Sequence, residues 1–289
     1  MSKTKIKIIT DSTTSLSKEE CEKLGIDCLE TSYMLDDVNY SAFENDEESL
    51  IDFYKRLDEI KSCSTGCVNE HQFEECFEKW IKQGYQVIYM GLSSALSSTH
   101  ENACNVAKRL NHNYGENKVF CVDTKTGSYG SYLFVEEALE MVAEGKTADE
   151  IAEKLSDDAN NKMESSFVPR DLNFLCKSGR LSRLEASIGR LMRLVPIISV
   201  TQPTGKLAVS EKCIGTKLAM KTVKNKYVKL ITTKGLTRCM IATSGLEAEA
   251  EELKAHIIAN TDIKDIKVGL IDKTMACCCG PKTIAIFCK

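Results

Sequence analysis

The fold is decided by residues 86–103, QVIYMGLSSALSSTHENA, in which an apolar run, a hydroxyl-rich turn and an amphipathic stretch follow one another. Residues 86–90 are short, β-branched and aromatic, which predicts a buried parallel strand. Apolar residues then recur at helical spacing from Ala103 to Leu110, which predicts a helix over residues 97–111. The segment therefore predicts a strand, a tight turn and a helix.

The turn between them is rich in hydroxyl side chains. It carries Ser93, Ser94, Ser97, Ser98 and Thr99. Backbone N–H groups at a helix start and the helix macrodipole both favour an anion, and hydroxyl groups add hydrogen-bond donors. The turn is therefore typical of a site that holds a carboxylate or a phosphate rather than of one that cleaves a bond.

The same alternation extends through the first half of the chain. Strands at residues 5–10, 86–90 and 118–122 alternate with helices such as 70–83 and 129–143. This pattern predicts an α/β domain, doubly wound around a parallel sheet, over residues 1–160.

The second half has a different pattern. Two extended runs flank a turn at residues 202–205, QPTG, which is a hairpin signal, and further strands alternate with helices. Residues 161–289 are therefore predicted to form a second α/β domain with an α+β character.

Composition excludes several classes of protein. The chain has 289 residues and a net charge of −4, with its basic residues spread along it, which argues against a nucleic-acid partner. It contains no apolar stretch near the roughly 20 residues of a membrane span. The first residues lack the apolar core of a signal peptide, so a cytoplasmic location is expected.

The 14 cysteines and four histidines give no recognisable metal-ligand pattern. His71 is four residues from Cys67, and His100 is four residues from Cys104, which we interpret as chance proximity. Free cysteine behaves as a small buried hydrophobe, so a disulfide framework is not expected. A zinc site at residues 277–279, CCC, is disfavoured, and neither a metal nor a cofactor is predicted.

Four hydroxyl- or glycine-rich turns stand out, at residues 11–14, 62–66, 93–99 and 123–128. Each alone is typical of a simple helix N-cap. In an open parallel sheet, however, ligands bind at the carboxyl ends of the strands. The recurrence of these turns therefore predicts that they converge on one crevice.

Five segments carry a resemblance to a known family. They are residues 8–13 (IITDST), 91–103, 122–124 (VDT), 175–181 (LCKSGRL) and 278–281 (CCGP). In sequence and spacing they resemble the DegV family, bacterial proteins that bind a fatty acid. In its best-understood members the family presents the acyl group to a separate kinase subunit.

The resemblance implies a monomer of two domains with an acyl chain in an apolar tunnel between them, and no catalytic residue. It places the carboxylate on Thr65 and Ser94, with Ser93 and Ser97 as close alternatives. Arg180 matches an arginine near the head group and the surface that faces the kinase subunit. Candidates for the tunnel lining are Phe167, Leu191, Leu194, Ile197 and Ile198.

The sequence departs from the family pattern at the head-group end. Cys278 stands where the family has a histidine that helps to hold the carboxylate, and residues 66–68 replace a Ser-Gln-Pro segment. A different amphipathic anion therefore remains an alternative ligand. A serine hydrolase with Ser93 or Ser94 as nucleophile is a weaker alternative, because the turn is not Gly-x-Ser-x-Gly. The chain also lacks a Walker-type sequence, so an ATP site is expected in the partner.

Overall fold

The computed structural model describes residues 5–42, 46–180 and 194–289. Thirteen strands lie in these residues: β1 Lys5–Asp11, β2 Asp27–Leu29, β3 Ser32–Leu35, β4 Val38–Ser41, β5 Cys63–Gly66, β6 Tyr85–Gly91, β7 Val119–Asp123, β8 Glu164–Val168, β9 Leu194–Thr201, β10 Lys206–Ile214, β11 Cys239–Thr243, β12 Ile266–Leu270 and β13 Ile284–Cys288. The same ranges contain ten α-helices: α1 Lys18–Leu24, α2 Glu47–Leu57, α3 Glu70–Lys82, α4 Thr99–Tyr114, α5 Tyr129–Glu144, α6 Ala148–Asn161, α7 Asn173–Lys177, α8 Thr216–Lys234, α9 Glu247–Asn260 and α10 Lys273–Cys279.

The first sheet is parallel, with the strand order β2-β1-β6-β7. Successive side chains of a strand face opposite sides, and both sides are covered here. Ile8 and Ile88 pack in the same apolar cluster as residues of α5 and α6, whereas Ile9 and Tyr89 pack with α3 and α4. Helices on both faces of a parallel sheet confirm the predicted doubly wound α/β fold.

The second sheet is mixed, with the order β10-β9-β8-β13-β11-β12, and its one parallel pair is β11 with β12. Helices α8 and α9 cover one face. Helix α5 packs against β11 and β13 as well as against β1 and β6, so Phe134 and Phe287 share one apolar cluster. The predicted second sheet-containing domain is thus confirmed, while its limit at residue 160 stays a prediction.

A third, antiparallel sheet has the order β4-β3-β5. Residues 62–66 were predicted to be a turn, and this was wrong, because β5 pairs with β3 so that Thr65 lies opposite Tyr33. The hydroxyl-rich composition that suggested a turn belongs to a short strand. Helix α10, which contains residues 277–279, was not predicted.

Two cysteine pairs contradict the expectation that the thiols would be unpaired. The structure joins Cys63 to Cys277 and Cys239 to Cys288 as disulfides. The second pair follows from strand register, since Cys239 lies directly opposite Cys288 on antiparallel strands. The first pair forms because α10 packs against β5, a contact that sequence spacing does not reveal.

Within the described ranges, no cluster of three His, Cys, Asp or Glu side chains is placed to hold a metal ion. The helices of that part of the chain also lack the combination of length and apolarity needed to cross a membrane.

Candidate functional site

A cavity of about 320 Å³ lies between the carboxyl ends of the parallel strands, the second sheet and α10. The turns at residues 11–14, 93–99 and 123–128 all reach it, as the strand-end argument predicts. Its polar and small lining residues are Thr13, Thr31, Thr65, Gly66, Cys67, Ser97, Ser98, Thr99, Thr126, Gly127, Ser128, Ser165, Arg180, Thr274, Cys278, Cys279 and Thr283. Its apolar lining residues are Leu92, Leu96, Phe167, Leu175, Val200, Leu207, Ile271, Met275, Ala285 and Phe287.

The second sheet supplies five of the ten apolar lining residues. Ala285 and Phe287 are two residues apart on β13 and therefore point to the same face. Leu207 lies opposite Val200 across the β9–β10 hairpin, and both contact the cavity. The wall can therefore shelter a hydrocarbon segment from water.

Of the predicted tunnel residues, Phe167 lines the cavity. Ile197 and Ile198 are fully buried and do not line the cavity; Ile197 belongs to the second apolar cluster, whereas Ile198 packs behind the lining residue Leu175. Leu194 does not line the cavity either, and Leu191 lies outside the described residues. Alternation along β9 explains this outcome for Ile197, which lies on the face opposite that of Val200. Ile198 shares the face of Val200 but does not reach the cavity.

Three predicted head-group residues meet at one end of the cavity. The Arg180 guanidinium donates from Nη2 to Thr65 Oγ1 at 3.3 Å and from Nη1 to Ser178 O at 2.8 Å. The Thr65 and Ser178 hydroxyls lie near the Cys278 thiol and lower its pKa. Residues 65, 180 and 278 thus form a polar cluster that we call the polar end.

Electrostatics at the polar end favour an anion. Burial raises the pKa of the Cys278 thiol, while the Arg180 charge and the Thr65 hydroxyl lower it in part. The neighbouring Arg180 guanidinium bonds to Leu96 O, Ser178 O and Thr65 Oγ1, so none of its partners among the described residues is a carboxylate. An incoming carboxylate would find one fixed cation and at least one hydroxyl donor there.

The three predicted serines of the 93–99 turn lie in different places. Ser97 lines the cavity, and its hydroxyl shares a 2.9 Å hydrogen bond with Thr99 Oγ1. Ser93 is buried, does not line the cavity, and donates to Gly205 O at 3.0 Å. Ser94 is exposed and its hydroxyl donates to Asp123. Their roles as ligand-binding residues stay predictions.

These contacts also bear on the hydrolase alternative. The Ser93 and Ser94 hydroxyls are engaged by Gly205 and Asp123, and His100 Nε2 lies 3.3 Å from Cys104 Sγ. A serine nucleophile requires a base within hydrogen-bond reach. The arrangement around the turn pairs neither serine with the histidine.

Sequence reasoning missed a set of buried hydroxyls on the cavity wall. Thr31 Oγ1 lies 2.7 Å from Thr274 Oγ1, and Thr126 Oγ1 lies 2.7 Å from Ser165 Oγ. Thr31 and Thr274 are 243 positions apart in the sequence, so no local motif joins them. Their mutual bonds satisfy polar groups that would be costly to leave unpaired beside an apolar wall.

Helix α10 is fixed at its start by Asp272, whose carboxylate accepts from Met275 N at 2.9 Å and from Ser15 Oγ at 2.7 Å. Burial raises the pKa of this carboxyl to about 7, although both hydrogen bonds act in the opposite direction. The cap and the Cys63–Cys277 bond hold Cys278 beside Thr65.

Glycine is needed at position 127 because the chain passes close to the cavity wall. A Cβ there would lie 2.6 Å from Leu92 Cδ1 and 3.2 Å from Met275 Cε. A larger residue would therefore displace two apolar lining side chains.

Comparison with known proteins agrees with this architecture. The profile of the DegV family, described as an uncharacterised protein family, matches residues 5–289. A DegV domain-containing protein of Clostridium perfringens is 31% identical over 283 residues, covering 98% of this chain and 97% of its own. A protein of Thermotoga maritima named fatty acid-binding protein is 26% identical, covering 97% of this chain and 96% of its own.

Solved structures share the fold. The structure of a DegV family protein from Thermus thermophilus, described by its fatty acid binding, superposes with a TM-score of 0.87 at 21% identity and covers 98% of this chain and 99% of its own. A DegV lipid binding protein from Thermotoga maritima gives a TM-score of 0.83 at 25% identity and covers 99% and 98%. The predicted resemblance is confirmed, and the chain belongs to the DegV family.

Proposed function

We propose that this protein binds a long-chain fatty acid in the cavity, with its carboxylate at the polar end and its chain along the apolar wall. The observation that carries the proposal is the joining of an apolar cavity to the cluster of Thr65, Arg180 and Cys278. The names of relatives that bind fatty acids or lipids support the same ligand class.

The carboxylate is held by charge-assisted hydrogen bonds. Arg180 Nη2 donates to Thr65 Oγ1, and the Thr65 hydroxyl, which also interacts with the Cys278 thiol, can turn its own proton from that sulfur toward an anion. Bonds from a guanidinium to a carboxylate are roughly twice as strong as neutral ones. The neutral Cys278 thiol adds only a weak donor, so Arg180 carries most of the head-group recognition.

The hydrocarbon chain supplies most of the affinity. Each methylene moved from water to an apolar wall contributes about 0.8 kcal/mol, so ten buried methylenes contribute about 8 kcal/mol before ordering costs. A cavity of about 320 Å³ lies at the lower end of the roughly 300–1,000 Å³ common for small-molecule sites. We therefore propose an extended, single-chain ligand.

Ser97 is proposed to contact the ligand directly, since it lines the cavity. For Ser93 and Ser94 we propose that they order the turn instead, through Gly205 and Asp123 respectively. Ligand binding could recruit Ser94 only by breaking its bond to Asp123.

We further propose that the protein acts as a monomer in the cytoplasm and presents the bound carboxylate to a separate kinase subunit for phosphorylation. This finer proposal rests on the family resemblance and on the position of Arg180 at the polar end. A transferred phosphoryl group needs an acceptor oxygen, which the bound carboxylate supplies.

Identification of the ligand tests the first proposal. Protein purified from a bacterial host and gently desalted should show, by native mass spectrometry, a mass increment that organic extraction identifies as a fatty acid. An extracted amphipathic anion of another class would favour the alternative ligand. Protein that is ligand-free and fails to bind added fatty acid in titration calorimetry would refute the fatty acid proposal, and the absence of any extracted anion would leave the alternative ligand without support.

The kinase proposal has its own assay. Loaded protein, the kinase subunit and ATP should together form an acyl phosphate, trapped by hydroxylamine as a hydroxamate. Binding without hydroxamate formation would reject presentation while leaving fatty acid binding intact.

A further inference from the structure

Away from the cavity wall, a second group of reactive side chains lies between α4 and β7. His100 and Cys104 are four residues apart on α4, so they share one helix face, and Cys104 Sγ lies 3.3 Å from His100 Nε2. Helix α4 packs against β7, and the Cys121 thiol on β7 lies near enough to Cys104 for each thiol to shift the pKa of the other. Spacing along the chain shows the first contact but not the second.

The surroundings of Cys104 favour its thiolate. The hydrogen bond from Cys121 lowers the pKa of Cys104, and His100 and Lys108 lower it further against the effect of burial. Cys121 shows the opposite change, because its bond to Cys104 and its burial raise its pKa. The two opposite shifts favour the thiolate at Cys104 and the protonated thiol at Cys121.

His100 is suited to stabilise that thiolate. Burial lowers the pKa of the imidazole, but the bond to Cys104 and the charge of Asp123 outweigh burial, so the net shift is upward despite the opposing charge of Lys125. Its Nδ1 is buried and has no hydrogen-bond partner among the described residues. The hydrogen bond from its Nε2 to the Cys104 sulfur therefore orients the imidazole.

We propose that Cys104 is a peroxide-reactive thiol and that Cys121 resolves its oxidised form to an intramolecular disulfide. The Cys104 thiolate attacks the O–O bond of a hydroperoxide, forms Cys104–SOH and releases hydroxide or alkoxide, which takes a proton from His100. The Cys121 sulfur then attacks the sulfenic sulfur, a disulfide forms, and the hydroxyl group leaves as water with the Cys121 proton. Two thiols are oxidised and one peroxide is reduced.

A second thiol pair in the same chain serves as an internal comparison. Cys21 and Cys28 also shift each other's pKa, but Cys21 is only 3% exposed and has the like charges of Glu20 and Glu22 beside it. Cys104 is half-buried. A soluble oxidant should therefore reach Cys104 before Cys21.

Competitive labelling of the wild-type protein tests the inference without any variant. Under limiting iodoacetamide at neutral pH, peptide mass spectrometry should show Cys104 alkylated at least about tenfold faster than Cys76, because the thiolate is the reacting form. Cys76 is a matched control, since it is also half-buried and free, and burial and Asp27 raise its pKa to about 12.

Oxidation tests the second step. Equimolar hydrogen peroxide should yield a Cys104–Cys121 cross-linked peptide pair before any Cys21–Cys28 pair. Cys121→Ser should instead accumulate a sulfenic acid that dimedone traps on Cys104, and His100→Gln should slow alkylation of Cys104 by about tenfold.

Two results would overturn the inference. Equal alkylation rates for Cys104 and Cys76 in the natively folded protein would remove the activated thiol. Peroxide treatment that oxidises Cys104 without joining it to Cys121 would remove the resolving role. Neither result would affect the fatty acid proposal, which is measured by ligand binding.

Discussion

Arg180→Gln tests how the polar end recognises its ligand. The substitution removes the positive charge while keeping a polar side chain able to bond to Ser178 O and Thr65. A hydrogen bond to a charged group contributes about 1.5–3 kcal/mol. Since about 1.4 kcal/mol corresponds to a tenfold change in affinity, we expect fatty acid to bind about 10- to 150-fold more weakly.

The comparison of acid with methyl ester isolates the charge. The ester keeps the hydrocarbon chain and loses the anion, so the wild-type protein should prefer the acid by a similar factor. Arg180→Gln should bind acid and ester within about threefold of each other, because two changes that remove the same interaction are not additive. Arg180→Lys keeps the charge but loses the planar guanidinium, so its preference for acid over ester should lie between those of the wild type and Arg180→Gln.

Titration calorimetry on delipidated protein measures these affinities. Arg109→Gln is the matched control, since Arg109 is an exposed arginine paired with Glu70 and Glu74 far from the cavity lining. If Arg180→Gln retained the wild-type preference for acid over ester, the head group would lie elsewhere and our placement of the carboxylate would be refuted.

Three further predictions concern the cavity and the core. Ala285→Leu adds bulk to the cavity wall and should shift the preferred acyl chain to a length shorter by about three methylenes, each about 0.8 kcal/mol, in a chain-length series. Val228→Leu, in the apolar cluster under α8 and α9, is the control. An unchanged chain-length preference in Ala285→Leu would contradict the proposed path of the acyl chain. Asp272→Asn should flatten the pH dependence of the free energy of unfolding. The pKa of Asp272 is about 7 in the folded state and near 3.9 in the unfolded state, so the protonated carboxyl stabilises the fold fully below pH 4. That contribution of a few kcal/mol is lost as the pH rises to 7. Urea unfolding at pH 4 and pH 7.5 measures the free energy of unfolding of the wild type and of the variant. An equal change between the two pH values in both proteins would count against the prediction. Phe77→Ala empties a fully buried position against Phe73 and Tyr89 and should lower the free energy of unfolding by about 3–5 kcal/mol, with a loss under 1 kcal/mol arguing against this packing.

Much of the fold follows from local sequence. Helix α3 carries a capping box between Asn69 and Gln72 and an apolar stripe with Phe73 and Phe77, so its start and its buried face are both encoded within a few residues. Strand β6 is equally local, since residues 87–90 form an uninterrupted apolar run. Such elements need no knowledge of the rest of the chain.

The errors arise where a segment depends on a distant partner. Strand β5 exists because β3 supplies its hydrogen bonds, and its own residues, CSTG, have little strand preference. The Cys63–Cys277 pair spans 214 positions, so its formation depends on packing that spacing cannot show.

The candidate site was predictable only in part. Thr65, Arg180 and Cys278 were identified from family motifs, and the structure brings all three together. Residues Ser93 and Ser94 sit in a motif of the same kind, but their hydroxyls turn toward Gly205 and Asp123. A motif specifies that a turn is present, whereas the direction of each side chain depends on the neighbours that the fold supplies.

The arrangement of the cavity wall has a consequence for stability. Phe287 and Ala285 come from the second sheet, whereas Leu92 and Thr13 come from loops of the first, so any occupant contacts both halves of the molecule. A ligand that binds only the folded state at 100 times its Kd stabilises that state by about 2.7 kcal/mol. Resistance to heat should therefore rise with fatty acid supply, and the melting temperature should report the free fatty acid concentration relative to its Kd.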